Sequence, residues 1–149
     1  RVADRTRTLV TGDGAPAESR MKVSSPEDAA TIAAAAYCAD GHPDRETLGL
    51  LLFDTGNRLI DATILQVGTV NEAPVYPREV VRACLDCGAT ACILWHNHPG
   101  GQCFPSAEDL ELTRRLGDLL RALDIRLHDH LIYADGSLYS IMGGRQVLP

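Results

Sequence analysis

The sequence predicts one α/β (α+β) domain, a mixed β-sheet with helices packed against it, and three observations carry that prediction. Its 149 residues, 45% hydrophobic and 23% charged, suffice for one buried core and are too few for two comfortable ones. Three segments open with helix-start chemistry, at Ser25-Pro26, Pro77 and Pro105-Ser106. Short apolar runs lie between and after them, in the order helix, strand, strand, helix, strand, helix, strand, strand.

Residues 1 to 22 show little periodicity and several turn formers. They read as a flexible tail or the remnant of a removed region, with the domain proper at 23–149. A start without Met suggests that an amino-terminal region has been trimmed away. "SSPEDAATIAAAAYCA" then begins a helix: Ser25 caps it, Pro26 takes the first helical position, and Glu27 and Asp28 meet the positive end of the dipole. Its alanines offer a shallow face, so its partner must pack close, and "GHPD" ends it. "ETLGLLLFDTGNRLIDATILQVG" reads as two strands joined by a turn at Asp54 to Asn57, the first apolar enough to be buried on both faces. Pro77 opens a second helix with Val80, Val81, Cys84 and Leu85 as its inner stripe, and "ATACILW" is the next buried strand. Ser106 to Leu123 form the third helix, with Leu110, Thr113, Leu116, Leu120 and Leu123 toward the core. Strands "IRLHDHLIY" and "SLYSIM" flank an Asp-Gly turn.

Formal charge is -6 and unevenly spread. Residues 1 to 22 hold five Lys/Arg against three Asp/Glu, a net of +2, which leaves -8 for the remainder. An acidic body is poor footing for a phosphate backbone, although local patches matter more than totals. No apolar run approaches the ~20 residues needed to cross a bilayer, and no leader pattern points to secretion. The five cysteines, at 38, 84, 87, 92 and 103, form an odd set. Cys84-Leu-Asp-Cys87 has the spacing of half a structural zinc site, but the other half is missing and the pair lies in a helix. Reduced thiols acting as small helix residues are the ordinary reading, and the chain reads as cytoplasmic.

The chemistry concentrates in "LWHNHPGGQCFPSAEDLELT". His96 and His98 alternate with Asn97, so both occupy one side of a chain still extended as it leaves the strand. Two imidazoles so placed can grip one zinc ion. Pro99, Gly100 and Gly101 turn the chain, and Asp109 falls in the first turn of the next helix. A carboxylate there can close back on the histidines, giving three protein ligands and leaving a position for water, as catalytic zinc requires. Ser106 and Asp109 also resemble a capping box, which would explain them but not the histidines. The serine hydroxyl can either cap the helix or face the open site and donate to an oxyanion. A hydrolase also needs a base, and Glu46 stands immediately before the buried strand "TLGLLLF". From position alone, a solvated strand-end acid is its ordinary reading.

Other chemistries fail on the letters. There is no His-Glu-x-x-His, no His-x-Glu with Pro-Cys-x-x-Cys, no Walker loop, no dinucleotide-binding glycine pattern and no Gly-x-Ser-x-Gly elbow. Cys103, five residues after His98, leaves a thiol hydrolase open without an orienting third group. "HDH" at 128–130 would put both histidines on one strand face, with Leu127 and Leu131 on the other. It offers either a ligand, a partner behind the ligands, or merely a polar face. Trp95 and Phe104 flank the motif as groove lining or as core.

These residues, Glu46 and then His96-Asn-His98 through Ser106-Ala-Glu-Asp109, resemble the JAMM signature of the JAB/MPN metalloenzymes, a glutamate upstream of His-x-His-x7-Ser-x-x-Asp. The likeness is to the RadC-like branch, and "LLLFDTGNRLI", "PSAEDLELTRRL" and "LDIRLHDHLIYADGSLYSI" extend it over roughly residues 24 to 142. The resemblance implies a JAB/MPN-like, cytidine-deaminase-like central mixed sheet flanked by helices. It implies Zn2+ held by His96, His98 and Asp109, with Glu46 as general base and Ser106 stabilising the tetrahedral intermediate. It also implies a protein or peptide substrate cleaved at a peptide or isopeptide bond. The alternative it carries is a DNA-associated protein, either a metal-dependent nuclease or a non-catalytic DNA-repair or interaction module. One departure is local: RadC-like proteins commonly read His-Asn-His-Pro-Ser-Gly, and Gly100 stands here in place of that serine. The other is the helix-hairpin-helix region that often precedes this domain in longer relatives and suggests DNA contact; the sequence shows none.

Overall fold

The computed structural model describes residues 7–11, 17–40, 44–68 and 77–147. Within them, strands β1 (Arg7–Thr11), β2 (Thr47–Phe53), β3 (Leu59–Val67), β4 (Ala91–Asn97), β5 (Arg126–Ala134), β6 (Ser137–Ser140) and β7 (Arg145–Val147) form one sheet. Its order is β1-β3-β2-β4-β5-β6-β7. Helices α1 (Pro26–Asp40), α2 (Pro77–Cys87) and α3 (Ala107–Ala122) cover it. Only β4 and β5 run parallel, and α3 is the crossover between them; the other pairs are antiparallel. The expected mixed α/β fold is what the chain adopts.

The sheet separates two cores. On one face the alanines of α1 (Ala29, Ala30, Ala33, Ala36) meet Leu51, Phe53, Ile93, Trp95 and Leu131. On the other, Val80 and Cys84 of α2 and Leu116 and Leu120 of α3 meet Leu50, Leu52, Cys92 and Leu94. Strands β2 and β4 are buried at all seven positions each, which is why both read as unbroken apolar runs rather than alternating ones. The shallow alanine face of α1 leaves room for the indole of Trp95. Gly49 makes the same concession from the strand beside it, being the cross-strand partner of Trp95. The Asp54 turn closes through its carboxylate, which accepts the Gly56 and Arg58 N–H groups at 2.9 and 3.0 Å. Asp135 and Gly136, at φ 50° and 79°, make the tight turn into β6.

Several expectations needed revision. Within the segment read as a tail, Arg7–Thr11 pairs with β3 and Lys22 bridges to Arg58. A five-residue edge strand leaves almost no local signal, because its partner supplies the pairing. Strand β7 was missed for the same reason. The inner stripe of α3 narrows to Leu116 and Leu120, with Leu112 beside them, while Leu110 and Leu123 are exposed; Leu85 of α2 is exposed too. Of the break read at "GHPD", residues 41–43 lie outside the described residues. "HDH" does not obey period two. Cys92 pairs with Leu127 and Ile93 with Asp129, so His128 is the extra residue of a bulge. His128 bonds Asn57 Oδ1 at 3.0 Å beside Phe53, whereas His130 is fully buried and turns toward α3. Leu127 and Leu131 consequently join opposite cores. Among the described residues, no helix is long and apolar enough to cross a membrane.

Candidate metal centre

Strand β4 ends at Asn97, and the chain then turns over Pro99–Gly101 and Gln102–Pro105 into α3. Gly101, at φ 82°, is where that turn needs a glycine, and its N–H closes on the His98 carbonyl at 3.1 Å. Gly100, where the resemblance leads one to expect serine, has open space around it and no left-handed φ, so this departure does not touch the histidines. The corner brings His96, His98 and Asp109 together: their ligand atoms lie within 4.8 Å of one another. His96 Nε2 is 3.2 Å from Asp109 Oδ1 and His98 Nε2 is 3.0 Å from Asp109 Oδ2. The two Nε2 atoms are 2.9 Å apart.

Proton bookkeeping shows what this arrangement asks for. His98 Nδ1 faces the Gln102 carbonyl at 2.7 Å, and a carbonyl only accepts, so that nitrogen carries the proton. In neutral His98 the lone pair therefore sits on Nε2, aimed at His96 and at a carboxylate that is itself an acceptor. Converging acceptors are stable only with a positive charge among them. A proton can supply it: the hydrogen bond to Asp109 raises the His98 pKa, against the opposing effect of burial. For Asp109, burial pushes the carboxyl pKa up. When the histidines are protonated, their hydrogen bonds and the His96 charge, together with the Ser106 N–H, outweigh it and hold the group far below the usual carboxylate range. A divalent cation answers the same need, and two imidazoles with one carboxylate are a zinc-type donor set. The residues fit such an ion.

Ser106 caps α3, accepting the Asp109 N–H at 3.0 Å while its own N–H donates to Asp109 Oδ2 at 2.9 Å. The reciprocal box thus fixes the carboxylate that faces the histidines, so the capping and metal readings are one arrangement. Glu46 is half-buried at the start of β2. Leu48, two residues further on, pairs with His96, and the Glu46 charge lies near enough to help raise the His98 pKa. All five sequence candidates thus belong to one corner, three in mutual contact, Ser106 against the third, and Glu46 across the strand boundary.

Sequence reasoning missed the side chains that brace the corner. Asn97, between the histidines, points the other way and is buried. Its carbonyl oxygen accepts the Thr47 N–H at 2.6 Å and its amide donates to the Arg45 carbonyl at 2.8 Å, so it clamps the backbone on both sides of Glu46. The signal was period two itself: a polar residue between two ligands must face away from them. Asn97→Ala is expected to cost about 1–3 kcal/mol, because the buried Thr47 N–H loses its acceptor; urea denaturation midpoints test it. Trp95 is core, whereas Phe104 is exposed against Tyr139 at 5.8 Å. Cys103 is buried with Gln146 as its partner at 3.6 Å, not a histidine. Cys87 donates to the Ala83 carbonyl as an ordinary helix residue, and all five thiols are free.

Layered helices over a mixed sheet, with a His-x-His and Asp cluster where its central strand hands over to a helix, define an α/β domain with a candidate metal centre. The chain belongs to the RadC-like JAB domain family, whose model matches residues 23–146. It is similar to a UPF0758 protein of Vibrio cholerae serotype O1, 48% identical over 98 residues, which are 66% of this chain and 62% of that protein. A UPF0758 protein of Photobacterium profundum is 46% identical over 96 residues, 64% of this chain and 43% of that protein. The matched stretch is thus less than two thirds of the length of either relative.

Proposed function

We propose that this domain is a zinc-dependent hydrolase of amide bonds, acting on a peptide or isopeptide linkage in a protein or peptide substrate. The observation that carries the reading is the convergence of His96 Nε2, His98 Nε2 and both Asp109 oxygens, acceptors all, on one point beside Glu46 and Ser106. Zinc, when bound, acidifies a water and polarises a carbonyl. Glu46 takes the proton of the attacking water and delivers it to the leaving amine. It suits that task because its charge reaches His98 while it does not belong to the converging cluster. Ser106 Oγ, whose lone pair engages the Asp109 N–H, keeps its hydrogen to donate to the oxyanion. The acidic body, with a formal charge of -6 for the chain, favours this over a DNA-directed role.

Metal content tests the reading. Protein stripped with chelator and reconstituted is expected to retain about one zinc per chain after exchange into metal-free buffer. Elemental analysis that finds only traces after reconstitution would overturn it.

A further inference from the structure

The proposed chemistry leaves "HDH" unused, yet its second histidine is among the most enclosed polar groups of the molecule. His130 is 0% exposed, and a neutral imidazole buried so deeply needs partners for both nitrogens. It has two. His130 Nε2 lies 2.7 Å from His96 Nδ1, and His130 Nδ1 lies 2.7 Å from Thr113 Oγ1. Thr113 Oγ1 is also 2.7 Å from the Asp109 carbonyl, one helical turn back.

The end of this chain sets the direction of every bond in it. The Asp109 carbonyl can only accept, so the single Thr113 hydroxyl proton goes there. Toward His130 the hydroxyl must then accept, which puts the His130 proton on Nδ1. His130 Nε2 is left as an acceptor, so His96 donates to it from Nδ1. In neutral His96 the lone pair therefore sits on Nε2, the atom facing His98 and Asp109. With both imidazoles neutral, every other assignment leaves two donors or two acceptors facing each other at 2.7 Å.

We propose that His130 and Thr113 are positioning residues, a hydrogen-bond relay that holds His96 in the Nδ1–H tautomer and turns its Nε2 lone pair into the metal centre. The relay ends on the backbone of Asp109. It therefore ties a ligand on β4 to the backbone of a ligand on α3 through the His130 and Thr113 side chains, so that strand and helix present their ligands at a fixed spacing. Partners of this kind behind a metal ligand orient the ring and raise its basicity. The importance of the relay for zinc rests on the metal reading above; the tautomer itself does not.

Two measurements separate those claims. Long-range 1H–15N correlation on metal-free protein, in mildly alkaline buffer, reads the His96 tautomer directly. The expected result is a proton on Nδ1 in the parent, mixed tautomers in Thr113→Val, and the parent pattern again in Thr113→Ser. Zinc titration against a competing chelator is expected to show Thr113→Val and His130→Phe weakened about 10–100-fold. His130→Gln, whose Oε1 can still accept from His96, recovers most of that loss. A His96 proton on Nε2 would overturn the relay, as would a Thr113→Val protein that binds zinc as the parent does. A parent that binds no zinc would instead overturn the metal reading, and the tautomer measurement would then decide the relay alone.

Discussion

Glu46→Gln is expected to leave zinc binding unchanged and to lower amide hydrolysis about 10²–10⁴-fold, the usual worth of a positioned general base. His98→Ala is expected to abolish both. The split follows from where the two residues sit. His98 is one of the three converging groups, and its removal leaves His96 and Asp109 with an incomplete donor set. Glu46 stands across the strand boundary from that set, held by the Asn97 clamp on its flanking backbone. A glutamine there keeps the shape and the strand pairing but cannot take a proton. The measurements are zinc titration against a chelator and a cleavage screen over peptide and isopeptide-linked substrates, with Glu46→Gln as the control in every lane. Cleavage by Glu46→Gln at the parent rate would remove Glu46 from the mechanism. Undiminished zinc binding by His98→Ala would break the ligand set instead.

The central elements were legible because their signals are local. Unbroken apolar runs marked β2 and β4, and proline or serine openings marked the helices. The candidate metal cluster was legible for a related reason: His96 and His98 share a face by strand period, and Asp109 is placed by the same cap that starts α3. Glu46 was different. Nothing near it in the sequence distinguishes it from other strand-end acids, and only the pairing of Leu48 with His96 brings it to the corner. His130 lay deeper still. Strand period put it on a face with His128, and the bulge at His128 cancels that inference, because one inserted residue reverses the phase of everything after it. Thr113 looked like a core position of α3, but it is only half-buried. Its burial serves a hydroxyl rather than a methyl, a distinction that requires His130 in place.

Gly49→Ala is expected to be among the most destabilising small substitutions in the domain, at about 3 kcal/mol, the upper range for overpacking a tight core. A single methyl in a β-strand would ordinarily be welcome, since glycine is the poorer strand former. Here a Cβ at position 49 would enter the indole of Trp95, against Cε2, Cζ2 and Nε1. The indole cannot retreat easily. Trp95 is 1% exposed, with Tyr37 edge-on at 6.2 Å and the alanines of α1 in the same core. The cost therefore belongs to the pair and not to the glycine, which makes it separable. In a Trp95→Leu background, itself destabilised by the lost ring, Gly49→Ala should cost less than about 1 kcal/mol, giving a coupling near 2 kcal/mol in a double-mutant cycle. Urea midpoints at constant slope measure all four corners. Additive losses would mean that Gly49 is required by something other than the indole. Coupled losses would show that the ring next to His96 in sequence is held by a slot cut for it in β2, one residue from the Leu48 that pairs with His96 itself.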